Sequence, residues 1–489
     1  MSYLDSSVPP IRERRHPETA LAHGATRCGQ GPKRAVCAIM AQADRSFTQG
    51  SICPLLPALG IMTSLPETVV LLHGAVGCGA CANGNNVNIR AGRAARGQPG
   101  QDALWLSTTL TEINVINGGE ERLAEALVAA DQAYHPKVIL AVSGCLPGVI
   151  GDDLDAVAAQ TQPRVQAKIL PVHCEGFKSR FMATAYDVVY HAVGRGLLPD
   201  QSTGPKDPLA VNVMNVGSMG LVDEKELARL LGELGLKANF FPVFADPDSF
   251  ELATRARVSI SVCPTHDDYF LEHLREKFGV PYIIKHMPIG IKNTSQWLIS
   301  LGQELGLAKE ARALAKKEEA ELERALAEFR PLFAGRTAFV SAGEYRSLAT
   351  ALLLRELGFK ILAIRSFHID SFAEVELAKL DQTGDFILNV ANVQPFEEAN
   401  LIKKLQPDIF LGHWHGNSTA ARLGVPTQVI YNSGHAYIGY QGVYDLARRL
   451  HRRLSHPEFY ARLGRYAHLP YRPGWYEEEA FSHIREAQS

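Results

Sequence analysis

Cysteines placed at the ends of apolar runs are the residues of this chain best equipped for chemistry. In Thr68-Val-Val-Leu-Leu-His-Gly-Ala-Val-Gly-Cys78, four apolar residues, Val69 to Leu72, read as a short strand buried on both faces. Small residues then break the run, and Cys78 follows where the strand emits its loop. The pattern repeats at Val138-Ile-Leu-Ala-Val-Ser-Gly144, which runs into Cys145, while Cys53 lies in Ser51-Ile-Cys-Pro54 just upstream. In an open parallel sheet, ligands collect beyond the carboxyl ends of the strands. Three thiols brought to one edge of one domain make a metal-cluster site. A fourth cysteine, Cys263, ends its own apolar run, Val258-Ser-Ile-Ser-Val262.

Bulk properties narrow the field. A hydrophobic fraction of 46% with 21% charged residues fits a globular chain with a large core, and 489 residues allow about three domains. A net charge of −2 with no Lys/Arg tract argues against a nucleic-acid partner. No apolar run reaches the roughly 18 residues of a membrane span, and the polar start of the chain lacks a secretory signal, so a cytoplasmic protein is expected. Eight cysteines are too few for a disulfide scaffold in a chain of this length.

The elements that must position these thiols are α/β units. Residues 1–45 read as an extended arm, better suited to lying on a partner subunit than to trailing free. A first α/β domain spans 46–205, with strands near 68–74, 138–144 and 168–173 and a helix over 120–132. A second spans 206–331, with strands at 210–216, 238–244 and 258–262, helices at 223–235 and 267–278, and a long charged helix over 307–330 stopped by Pro331. A third, 332–464, carries strands near 337–340, 360–365, 385–390, 407–412 and 427–431. Strand–helix alternation predicts parallel sheets flanked by helices throughout, three Rossmann-like domains in all. The last segment, 465–489, is expected to pack back across the first domain.

Taken in order, four signals carry a family resemblance: Cys53; the Gly-Ala-Val-Gly-Cys ending at Cys78; Ser-Gly-Cys145 followed by Pro147-Gly-Val-Ile-Gly-Asp-Asp153; and Pro171-Val-His-Cys-Glu-Gly-Phe177. With the stretch 108–123, Cys263 and its following helix, and Ser433-Gly-His-Ala-Tyr-Ile-Gly-Tyr-Gln-Gly442, the chain resembles the catalytic α subunit of nitrogenase component 1 and its relatives over nearly all of 50–450. The resemblance implies that Cys53, Cys78 and Cys145 hold a P-cluster-like iron–sulfur cluster shared with a homologous β subunit, in an α2β2 heterotetramer. Iron–sulfur clusters take four thiolates in the simple case, so three on one chain suit a shared set. Cys81 is then a spare ligand or a bystander. Cys174 is structural, with Glu175 holding a neighbouring loop, and Cys28 and Cys37 have no counterpart. The resemblance further implies that Cys263 binds one end of a large iron–sulfur active-site cofactor of unspecified heterometal and organic acid. His435 is favoured over Tyr431 as its second ligand, because imidazole is the better metal donor. His413 and His415 are candidates for hydrogen bonds to that cofactor or to its organic acid.

Departures from the dinitrogen-reducing pattern point to the substrate. Where those enzymes carry glutamine and histidine, eight and twelve residues after the Glu-Gly-Phe cysteine, this chain has Met182 and Tyr186. With Phe181 they make an apolar, bulkier wall bearing one phenol, suited to a small organic molecule. Among nitrogenase relatives the pattern is most similar to the catalytic α subunit of methylthio-alkane reductase. Such an enzyme cleaves the C–S bond of a thioether of the dimethyl sulfide type to methanethiol and a hydrocarbon, using electrons from a homodimeric, ATP-dependent iron–sulfur reductase. Two other readings remain: a scaffold subunit for nitrogenase-cofactor assembly, which shares the Ala-Tyr and Gly-Tyr pattern near the carboxyl end, and an alternative-metal nitrogenase.

Overall fold

The computed structural model describes residues 53–489 apart from 180–181, 216, 218, 370, 382–383, 392–393, 413, 431–433, 470, 483 and 487–489. Of the first 52 residues it describes 6, 9, 24–28 and 43–45. Two compact units emerge, one built on Ile52–Gly217 and Gly235–Ile284, the other on Ser218–Leu234 and Lys285–Ser489. Two short strands near the amino end, β1 (Gly24–Cys28) and β2 (Ala43–Arg45), belong to the second unit.

The first unit holds two parallel sheets. One contains β3 (Thr68–His73), β4 (Trp105–Ser107), β5 (Val138–Ser143) and β6 (Lys168–His173), in the spatial order β4-β3-β5-β6. Every residue of β3 and β5 is buried, as their unbroken apolar runs require of strands covered on both faces. Leu123, Leu127 and Ala130 of the helix Glu120–Tyr134 lie on one stripe and pack with Val69, Leu71, Ile139 and Ala141. The second sheet contains β7 (Asp207–Met214), β8 (Lys237–Phe241), β9 (Ala256–Ser261) and β10 (Tyr282–Ile283), in the order β10-β9-β7-β8.

In the second unit, β11 (Thr337–Ala342), β12 (Lys360–Ser366), β13 (Phe386–Val390), β14 (Ile409–Gly412) and β15 (Thr427–Val429) form a parallel sheet in the order β13-β12-β11-β14-β15. Three expectations need correction here. Part of the amino-terminal arm lies on its own chain: β1 adds an antiparallel edge strand to β13. The carboxyl-terminal segment packs within this same unit, not across the first domain. There β16 (Ile484–Glu486) pairs with β2, Ala480 joins the core of Phe339 and Phe410, and Trp475 sets its ring edge-on to Phe396 at 5.0 Å. The long helix of 307–330 is in fact shorter. Ala308–Leu326 ends before Pro331, which instead opens a short helix at Arg330–Phe333, where its missing N–H costs nothing. On the helix Ala308–Leu326, buried Glu318 takes a paired contact from Arg229 at 2.8 Å.

Candidate functional site

Strand register explains how distant cysteines meet. His73 of β3 lies beside Ser143 of β5, which lies beside His173 of β6. The loops that follow therefore leave one edge of the sheet at one level, carrying Cys78, Cys145 and Cys174. The chain turns from β3 to β4 on one side and to β5 on the other, so Cys78 and Cys145 flank the switch point where parallel sheets bind ligands. Cys53 arrives from the loop before the helix Leu55–Met62.

Gly176 shows how closely two of these thiols converge. A Cβ there would sit 2.7 Å from Cys53 Sγ and 3.4 Å from Cys145 Sγ, a space that only glycine leaves open. Atoms packed around Cys53 push its thiol pKa up; the Leu55 amide pulls it down, and charge on Cys145 and Cys78 adds to the rise. Neighbouring thiolates of this kind are a donor set that a cationic iron cluster satisfies. Cys53, Cys78 and Cys145 are all exposed, Cys174 is buried, and none is in a disulfide. Burial, with the neighbouring charges of Cys53, Glu175 and Cys145, keeps Cys174 protonated. Among the described residues no three His, Cys, Asp or Glu side chains close around a single metal ion.

Two buried polar groups brace these loops. His73 is fully buried, with Nε2 2.9 Å from Asp152 Oδ2 and Nδ1 3.1 Å from Thr108 Oγ1. Asp152 also accepts from the Gly119 amide, at 3.0 Å and 3.1 Å to its two oxygens. Burial lowers the imidazole's pKa, against the opposing pull of Asp152. Glu175 accepts from Ser143 Oγ at 3.1 Å and pairs with Lys178 at 2.9 Å, while its side chain fills the space over Gly148 in the helix Cys145–Ile150. Burial opposes its ionisation, yet the partners His173 and Lys178 prevail and hold its pKa near 2.

Cys263 lies two residues past β9 and immediately before the helix Pro264–Phe278, where Pro264 takes the favoured first position. It is buried, in contrast to the other three candidate ligands. One turn on, the fully buried Asp267 accepts from Ser261 Oγ at 2.6 Å and from the amides of Val262 and Cys263 at 3.2 Å each, fixing the cysteine's backbone. Burial raises the Asp267 carboxyl to about 7 even against these donors. Beside this turn stands the helix Thr184–Gly196. Its Tyr186 stacks on His266 with ring centres 3.6 Å apart and planes 7° from parallel. Tyr190, one turn along, is fully buried, and burial raises its hydroxyl pKa, with Asp267, Tyr186 and Cys263 adding to the rise. Met182 is half-buried just before the helix. His266, Asp267 and Tyr190 escape a reading based on motifs alone. The available signal is spacing: residues three and four after a cysteine in a helix lie on its own face.

In the second unit, the stretch Ala436–Gln441 is tied down by acidic residues of the helix Leu221–Glu233. Asp223 accepts from the amides of Tyr437 and Ile438 at 2.7 and 2.9 Å, and Glu226 from that of Gln441 at 3.2 Å. Arg449 bonds the Ala436 carbonyl at 2.9 Å. His435 directly precedes this anchored stretch and is exposed; burial and the Arg449 charge lower its pKa. Phe181, His413, Tyr431 and Cys37 lie outside the described residues, as do the side chains of Cys28, Cys81 and His415. No described helix is long and apolar enough to cross a membrane.

Comparison with known proteins agrees with this architecture. The family model for nitrogenase component 1 type oxidoreductases matches residues 53–455. The chain is 25% identical over 430 residues to the nitrogenase iron-molybdenum cofactor biosynthesis protein NifE of Methanococcus maripaludis, covering 85% of this chain and 86% of that one. It is 24% identical over 452 residues to the nitrogenase molybdenum-iron protein alpha chain of Methanosarcina barkeri, covering 80% and 83%. The solved structure of nitrogenase Cp1 at pH 6.5 superposes with a TM-score of 0.71 at 20% identity over 96% of this chain and 99% of that one, which is likeness of fold.

Proposed function

The chain belongs to the nitrogenase component 1 family, and we propose that within it the protein is the catalytic α-type subunit of a reductase that cleaves the C–S bond of small methylthio-alkanes. The observation that carries this reading is the stack of Tyr186 on His266, three residues along the chain from the buried Cys263. Cys53, Cys78 and Cys145 would hold a relay cluster completed by a homologous β subunit, because their exposure leaves the far side of that cluster to another chain. Exposed Val76, Val149 and Phe177 in the same loops are suited to being covered by it. Cys263, with His435 as second ligand, would hold the active-site cofactor. When bound, these groups supply the electrons, delivered by an ATP-dependent iron–sulfur reductase, for thioether plus two electrons and two protons to give methanethiol and alkane.

The chain's own residues do the rest. Tyr186 and Met182 offer apolar contact to the alkyl groups, about 0.8 kcal/mol for each methylene buried. A gas without alkyl groups gains nothing from such a wall. The Tyr186 phenol donates a proton to the departing thiolate or alkyl fragment, and Asp267 holds the Cys263 backbone in place. In the complete complex, Tyr186→Phe should slow alkane release from dimethyl sulfide at least tenfold, on the low side of a general acid's usual contribution. Its metal content should stay unchanged. Unaltered turnover would remove the phenol from the mechanism.

A second reading, an assembly scaffold for the nitrogenase cofactor, is favoured by the resemblance to NifE and by the exposure of His435. A scaffold would carry cofactor and turn over neither thioether nor dinitrogen.

A further inference from the structure

The helices Thr184–Gly196 and Pro264–Phe278 meet along a ladder of ring pairs. Its inner rungs are Tyr190 with Phe270, ring centres 5.4 Å apart, and His191 with Tyr269, whose hydroxyl lies 2.8 Å from Nδ1. All four residues are at most 3% exposed. The outer rung is Tyr186 with His266. Tyr186 is 9% exposed and His266 half-buried, so this pair alone of the three reaches towards open space. The His266 amide donates to the Cys263 carbonyl at 2.9 Å, which ties the ring's position to that of the thiol. The inner rungs lock the helices, and the outer rung forms a flat stack on the first turn of the helix that Cys263 precedes.

We propose that His266 is the specificity-determining partner of Tyr186: its ring, stacked on the phenol, forms the wall that limits which thioethers reach Cys263. This rests on the reading of Cys263 as the reaction centre. A phenol packed on one face by a ring cannot swing about its Cα–Cβ bond without losing that contact, so the stack fixes both the width of the site and the direction of the hydroxyl. The role needs a flat ring and no change of charge. Phenylalanine at 266 should therefore preserve it and alanine abolish it.

The test compares wild type, His266→Phe and His266→Ala in the complete complex with its reductase. The assays are dimethyl sulfide and butyl methyl sulfide turnover, iron content, and the EPR spectrum of the dithionite-reduced protein. His266→Ala should raise KM for dimethyl sulfide about fourfold, the equivalent of one lost methylene contact. It should also raise kcat/KM for the butyl compound and alter the EPR line shape of the Cys263-bound centre. His266→Phe should match wild type in all three, and iron content should be the same throughout. Unchanged selectivity and spectrum in His266→Ala would overturn the proposal, as would a His266→Phe protein behaving like alanine. A wild-type complex that reduces no thioether would defeat the functional reading instead. The selectivity claim then falls with that reading, and the EPR comparison tests only the ring's placement, which an unshifted His266→Ala spectrum would refute. If His266→Ala lost iron, His266→Leu, which fills the site without a flat ring, would stand in for it under the same criteria.

Discussion

Glu175 shows how a single side chain is recruited to hold a thiol. Its carboxylate is gripped by Ser143, Lys178 and His173 while its stem lies over the helix that begins with Cys145. With a folded pKa near 2 against an ordinary 4.5, it contributes stability that is full above about pH 4.5 and lost as the pH falls towards 2. The contribution is on the order of 3 kcal/mol. Glu175→Gln should therefore lower the urea midpoint at neutral pH, and the two proteins should converge as the medium is acidified. Parallel midpoints at every pH would contradict this account of the carboxylate. At the same scale, Cys78→Ala should cost relay-cluster iron and Cys263→Ala only the cofactor's metal, since one thiol is exposed in the first sheet's loops and the other buried beyond β9. Identical metal loss in both would argue against two separate sites. The convergence of Cys78 and Cys145 was legible because each follows an unbroken apolar run. The part of His266 was not, because it depends on which helix packs beside it.

At the scale of elements, the edge formed by β3, β5 and β6 is the device that matters. Equal register at His73, Ser143 and His173 puts three loops side by side, and Gly176 supplies the space into which the sulfurs of Cys53 and Cys145 turn. Gly176→Ala removes no thiol yet places a methyl group 2.7 Å from Cys53 Sγ, so relay-cluster iron should fall sharply while the fold stays intact by circular dichroism. Full iron occupancy in that variant would show that the sulfurs do not meet over this glycine. The buried strands were legible from apolar runs alone. The end of the long helix and the docking of the carboxyl-terminal segment were not. Charge spacing cannot reveal that Glu318 is taken by Arg229, and local pattern does not say which helix Trp475 will meet.

The whole molecule repeats one solution, a cysteine placed just beyond a parallel strand in each sheet of the first unit. The two thiol sites differ in cover. Under the proposed reading a second chain completes the exposed set of Cys53, Cys78 and Cys145, so this chain expressed alone should lack the relay cluster. Buried Cys263 suits a centre closed off from water. The parallel sheets were legible because alternating strands and helices leave few other architectures. The proposed choice among family members rests on the Tyr186–His266 stack, close in sequence to Cys263. The most direct test is to purify the complex anaerobically with its β subunit, confirm that cofactor is bound, and supply reductase and ATP with dimethyl sulfide or dinitrogen. The account predicts methanethiol and methane from the thioether and little ammonia from dinitrogen. Ammonia formed as fast as methane, or a cofactor-loaded complex that reduces neither substrate, would contradict it.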